Sequence, residues 1–150
     1  MAHSPYSLLV EDSRSAIELA QQAFLINGYS GHIEVKCDGK EALDFLFQRN
    51  GPAEDLVAGP PSLILLDLKM PKVGGLEVLE QIRSDPNLKS ALVVILTASA
   101  GRHDVKQAYD SGANSYLVKP VDFEEFVAMI GQVVDYWCKL NELPAVFEPA

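Results

Sequence analysis

Four short motifs in this sequence end in side chains that can do chemistry. Glu11 and Asp12 follow YSLLV, and Asp67 follows LILL. Thr97 follows ALVVIL, with Ser99 two residues on, and Lys119 follows SYLV and precedes Pro120. Each polar group comes directly after an apolar run and none lies inside one. Brought together, three carboxylates repel one another and rise in pKa unless a cation neutralises them. A hard divalent ion that takes oxygen ligands and keeps several waters suits such a set. That describes Mg²⁺, with Mn²⁺ able to take its place. An ammonium and a hydroxyl facing the same space would meet an anion bound to that metal. A carboxylate nucleophile, Mg²⁺, an ammonium and a hydroxyl suffice for phosphoryl transfer, which needs mainly positioning and charge neutralisation.

The apolar runs read as strands and the segments between them as helices. Strands are expected at 6–10, 32–37, 63–66, 91–96 and 115–118. The first helix is expected over 13–27, with Ser13 placed to cap it and Gly28 to end it. Asp38 caps a second helix carrying Ala42, Leu43, Leu46 and Phe47, and further helices are expected at 75–84, 101–111 and 122–140. Gly and Pro punctuate one long irregular stretch, Arg49 to Ser62. LILL and ALVVIL are apolar at every position, the mark of strands covered on both faces. Strands alternating with helices give a parallel sheet wrapped on both sides, with no internal repeat. In open sheets of this kind ligands bind outside the carboxyl ends of the strands, which is where the polar residues fall.

Taken singly, each residue has a plainer reading. Glu11 or Asp12 could cap the first helix, Asp67 could turn the chain, Thr97 could be an ordinary β-branched strand residue, and Lys119 a surface lysine. Their shared position at strand ends argues for one joint site.

Composition excludes several functions. Lys and Arg number 12 against 21 Asp and Glu, a net charge of −9. Such a surface repels nucleic acid and anionic lipid, so neither is an expected partner. The length of 150 residues suits one domain. We place a leader at 1–5, the domain at 6–140 and a tail at 141–150. Two distant cysteines, Cys37 and Cys138, fit a reducing cytoplasm better than a disulfide framework. The N-terminus lacks a basic region and a long apolar run, so no secretion signal is expected. No apolar run is long enough to span a bilayer.

The segments LLVEDS, LILLDLKMPKVGG, VVILTAS and SGANSYLVKP resemble the response-regulator receiver domain of two-component signalling, over about residues 6–138. The resemblance implies a flavodoxin-like sheet of strand order 2-1-3-4-5. It also implies a signalling protein rather than an enzyme, one that accepts a phosphoryl group from a sensor histidine kinase and acts on a downstream protein. On it, Asp67 is the phosphoacceptor. Glu11, Asp12, Asp67 and the backbone carbonyl of Lys69 would hold Mg²⁺, and Thr97 and Lys119 would contact the phosphoryl group. Tyr116 would be an aromatic switch, and the Lys119–Pro120 bond would be cis. Glu11 stands where Asp is commoner, and Lys69 and Ser99 occupy variable positions that tune dephosphorylation in the family. Glu11–Asp12, the Arg49–Ser62 loop, RSDPNLKS and Tyr136–Trp137 look most like regulators paired with bacterial and cyanobacterial phytochromes. That narrower resemblance implies a two-fold dimer through the fourth helix, fifth strand and fifth helix. Only NELPAVFEPA follows Leu140, so no output domain is expected.

The last helix carries Phe123, Phe126, Val127, Ile130, Val133, Val134, Trp137 and Leu140 on a stripe wide enough to leave part exposed. Phe126, Ile130, Val134 and Trp137 are the expected dimer face. His3, His32 and His103 have no mutual spacing that suggests a metal or phosphotransfer role. Cys37 reads as core, and Cys138 as structural. Three rival functions fit the residues less well. A Mg²⁺-dependent aspartyl-phosphate phosphatase would carry a second acid two residues after its nucleophile, where Lys69 stands. A flavin protein of this topology would need a small, hydroxyl-rich loop in place of Glu11–Asp12, whose charges repel phosphate. A receiver that binds partners without phosphorylation would not need the complete set.

Overall fold

Alternate residues of each central strand enter different cores, and this two-sided burial organises the molecule. The computed structural model describes residues 6–47 and 60–142. The leader, residues 48–59 with most of the expected 49–62 loop, and the tail from 143 lie outside the described residues. Strands β1 (Tyr6–Val10), β2 (His32–Lys36), β3 (Leu63–Leu66), β4 (Val93–Thr97) and β5 (Ser115–Val118) pair in parallel in the order β2-β1-β3-β4-β5. This is the expected flavodoxin-like topology.

Leu8, Val10, Ile64, Leu66, Val93 and Ile95 face a core shared with α2 (Gly39–Leu46), α3 (Gly75–Ser84) and α4 (Arg102–Asp110). Leu9, Leu63, Leu65, Val94 and Leu96 face the opposite core, shared with α1 (Arg14–Ile26) and α5 (Phe123–Val133). Every residue of β1, β3 and β4 is buried. Buried parallel strands of this kind need apolar side chains on both faces, which is why their sequences show no alternation.

Local signals set the helix ends. Ser13 accepts from the amide of Ala16, Asp38 from that of Glu41 and Asp122 from that of Glu125. Gly28 and Gly112 stop α1 and α4 in the left-handed region, at φ +75° and +105°. Gly75 opens α3 against the Asp67 carbonyl so closely that a Cβ there would collide with the backbone of Asp67 and Leu68. The start of α3 can therefore pack closely against Asp67, the residue that follows β3.

Four expectations need correction. The last helix is α-helical only to Val133 and continues as π-helix over Val134–Leu140, closed by the Asn141 amide donating to the Tyr136 carbonyl at 2.7 Å. A wider turn suits adjacent apolar pairs such as Val133–Val134, both of which it buries. Phe126, Ile130 and Val134 accordingly belong to the core of the α1–α5 side, and Trp137 packs against it. A second copy cannot reach those three residues, so they are not a dimer face. Cys37 is exposed, because β2 ends one residue before it. The Lys119–Pro120 bond is trans, as no cis peptide occurs among the described residues. Trans is the lower-energy isomer of an X–Pro bond, and with it Lys119 already reaches Glu11 and Asp67.

Candidate functional site

Hydrogen bonds of the sheet carry register past the strand ends and so place the polar residues. Val10 lies beside Leu66, and the Asp67 amide donates to the Val10 carbonyl at 3.1 Å. The Glu11 amide donates to the Lys36 carbonyl at 3.0 Å, and that of Lys119 to the Thr97 carbonyl at 2.8 Å. Glu11, Asp67, Thr97 and Lys119 thus extend from one edge of one sheet.

Oxygens of Glu11, Asp12 and Asp67 all lie within 4.8 Å of one another. Glu11 is buried and Asp12 exposed, and the Asp67 side chain is only 12% accessible. Lys119 enters from the β5 side. Its ammonium donates to Glu11 Oε1 and stands 3.9 Å from Asp67 Oδ2. The other Glu11 oxygen accepts from the Ser13 amide at 3.1 Å. Burial, reinforced by the charge of Asp67, still lifts the Glu11 carboxyl above its ordinary pKa despite these donors. The donor set is hard oxygen, anionic and short of positive charge, which fits a divalent cation with oxygen preference. Thr97 is buried at the end of β4.

The loops beyond these residues are tied together. The amide of Lys69 lies 3.5 Å from Asp67 Oδ1. Lys72 has a positive φ of 66°, and its ammonium lies 3.7 Å from the Asp38 carboxylate at the start of α2. Tyr116 is half-buried, and its hydroxyl donates to the Ser99 carbonyl at 2.8 Å. Burial raises its pKa, with Asp104 and Asp67 adding to the effect. The Ser99 hydroxyl in turn donates to Asp104 on α4. Sequence reasoning missed Asp104. An acid in the first turn of a helix reads as a partner for the helix dipole, and only the fold brings it to Ser99.

The Response regulator receiver domain model matches residues 8–131. The chain belongs to the response regulator receiver domain family. A protein of Methanothrix harundinacea, the probable methanogenesis regulatory protein FilR2, is 41% identical over 91% of this chain and 86% of its own length. Response regulator Rcp1 of Synechocystis sp. is 36% identical over 92% of each chain. The crystal structure of its Mn²⁺-bound form superposes with a TM-score of 0.84 at 35% identity, over 94% of this chain and 99% of that one. The phosphorylated cyanobacterial phytochrome response regulator RcpA superposes with a TM-score of 0.85 at 34% identity, over 96% and 100%. This receiver chain is therefore similar in sequence and in fold to phytochrome response regulators. Among its described residues no helix is long and apolar enough to cross a membrane.

Proposed function

We propose that this receiver accepts a phosphoryl group on Asp67 from a sensor histidine kinase and signals through a phosphorylation-dependent protein contact. The observation that carries the reading is the meeting of three carboxylates within 4.8 Å beside an ammonium 3.9 Å from Asp67. An Asp67 oxygen attacks phosphorus, the bond from phosphorus to the kinase imidazole nitrogen breaks, and the imidazole leaves. Asp12, Asp67, the Lys69 carbonyl and Glu11 would hold Mg²⁺ or Mn²⁺, which when bound would supply positive charge for the phosphoryl oxygens. Lys119 exchanges its Glu11 partner for the phosphoryl anion, and Thr97 donates to it from β4. Tyr116 reports the change to the face of α4 and β5. On this reading the chain promotes only its own phosphorylation and dephosphorylation, in the cytoplasm.

The likeness to the phytochrome response regulator RcpA supports a phytochrome-type kinase, and the assembly we propose is a two-fold dimer across α4, β5 and α5. Tyr109, Val118 and, on the π-helical continuation of α5, Tyr136 and Leu140 are exposed apolar residues available to such a contact. Incubation with Mg²⁺ and phosphoramidate, followed by mapping of the adduct, tests the central claim. Asp67 should carry the label and Asp67→Asn should abolish it. Full labelling of that variant would remove Asp67 from its role, and an unlabelled wild type would leave a receiver that works without phosphorylation.

A further inference from the structure

Asp104 projects from the first turn of α4, outside the group of residues that would hold metal and phosphate. One of its oxygens, Oδ2, serves two loops at once. It accepts from the hydroxyl of Ser99, in the loop after β4. It also lies 3.8 Å from the ammonium of Lys69, in the loop after β3. Lys69 stands two residues beyond Asp67 and Ser99 two beyond Thr97. The carboxylate therefore bridges the two loops that border the phosphoacceptor and its buried hydroxyl. The Ser99 carbonyl simultaneously holds the Tyr116 hydroxyl at 2.8 Å.

The ion-pair half of this bridge adds little to stability. The Lys69 side chain is 74% exposed and that of Asp104 28%, and ion pairs so open to water contribute little to folding. The bridge does, however, decide where two reactive groups point. It engages the ammonium of Lys69, two residues beyond Asp67, and commits the Ser99 hydroxyl proton to α4. Both groups are otherwise close enough in sequence to the reacting centre to assist there.

We propose that Asp104 is a positioning residue that prolongs the life of the aspartyl phosphate by holding Lys69 and Ser99 out of the hydrolytic reaction. The inference rests on the reading of Asp67 as phosphoacceptor. In hydrolysis a water oxygen attacks phosphorus in line with the bond to Asp67. That bond breaks, the Asp67 carboxylate is restored, and dihydrogen phosphate leaves with both water protons. A free hydroxyl can orient the attacking water, and a free ammonium can stabilise the charge on the phosphoryl oxygens. With Asp104 in place neither is free.

The test uses the whole chain labelled with phosphoramidate and Mg²⁺, then freed of donor, with phosphate release followed over time. Asp104→Ala should label at Asp67 and lose phosphate about two- to fivefold faster than wild type, the range an exposed ion pair and hydrogen bond can supply. Asp104→Asn, which keeps an acceptor for Ser99 but not the charge for Lys69, should fall between. In a background of Lys69→Ala with Ser99→Ala the added Asp104→Ala should change nothing, because its effect passes through those residues. Added salt should speed the wild type but not Asp104→Ala. Equal or slower decay in Asp104→Ala, or an undiminished effect in the double-variant background, would overturn the proposal and leave the phosphoacceptor reading intact. A wild type that takes no label at Asp67 would overturn both.

Discussion

The two edges of the sheet solve opposite problems. At the carboxyl edge, Glu11, Asp12 and Asp67 crowd together around a single ammonium from Lys119. At the amino edge, below β4 and β5, the positive charge is enclosed by acceptors. The Arg83 guanidinium at the end of α3 donates to the carbonyls of Gly112 at 2.8 Å, Lys89 at 3.0 Å and Ala91 at 2.7 Å, and to the Asn114 side chain at 2.8 Å. Asn114 Oδ1 also accepts from the Val93 amide at 2.8 Å. One edge leaves like charges to be neutralised from outside, while the other is complete in itself. The difference separates residues that serve chemistry from residues that serve the fold.

Removing Arg83 is the severest way to break the contrast. Arg83→Ala leaves several acceptors at the amino edge without their donor and should cost about 3 kcal/mol of stability, as loss of a charged hydrogen-bond cluster does. Denaturant titration should show the midpoint falling, while the protein that remains folded still labels at Asp67. A loss near zero would mean that the amino edge is not held by this side chain.

Asp12→Ala makes the opposite test at the carboxyl edge. Metal affinity should fall by about tenfold or more, roughly 1.4 kcal/mol. Stability without metal should be equal to or above that of wild type, because like-charge repulsion is relieved. Titration with Mg²⁺ and thermal melts in a chelator measure the two halves of this expectation. Unchanged affinity would take Asp12 out of the metal set, and a clear loss of metal-free stability would show that the edge is not under repulsion.

The smallest effect concerns the cysteines, one at each edge. Cys37 follows β2 and is exposed, whereas Cys138 lies close to Ser7 and Tyr29, partly buried. Burial raises the Cys138 thiol above its ordinary value of 9.0 and raises the Tyr29 phenol likewise. Both groups are held neutral by the fold, so their contribution is fully present below their unfolded pKa values and is lost as pH rises through the folded ones. Stability should therefore decline gently above about pH 9, and Cys138→Ala should flatten the decline. Alkylation near pH 8 should modify Cys37 first. Equal rates at the two thiols would show that the amino edge opens readily to solvent.

Much of this was legible in the sequence because burial leaves a direct mark. YSLLV, LILL and VVILT have no polar alternation, so their strands and the polar residues that end them could be placed. Ser13, Asp38 and Gly28 mark helix ends through local hydrogen bonding and backbone freedom, and they act as expected. What stayed hidden depends on contacts between distant segments. Arg83 reads as a last-turn cation on α3, yet it reaches residues 29 and 31 positions away. Its hold on the Ala91 carbonyl, and Asn114 on the Val93 amide, coincide with β4 starting at Val93 rather than at 91. Asp104 is invisible for the same reason. A 3.6-residue period underlies the stripe expected on the last helix, and a π-helical turn changes which side chains point inward.

The strand order has a consequence for how the chain comes together. β1 lies in the sheet between β2 and β3, so its second pairing must wait for residues 56 positions later in the chain, as the bond from Ser62 to the Tyr6 carbonyl shows. Closing so long a loop carries an entropic penalty that local helices do not face. That closure is also the event that brings Glu11 and Asp12 beside Asp67. The acidic cluster does not exist until the distant halves of the sheet have met, so any cation that binds it binds the finished sheet and not its parts. A cation at this edge would shift the folding equilibrium toward completion by RT ln(1 + [L]/Kd), making the same carboxylates a sensor of assembly.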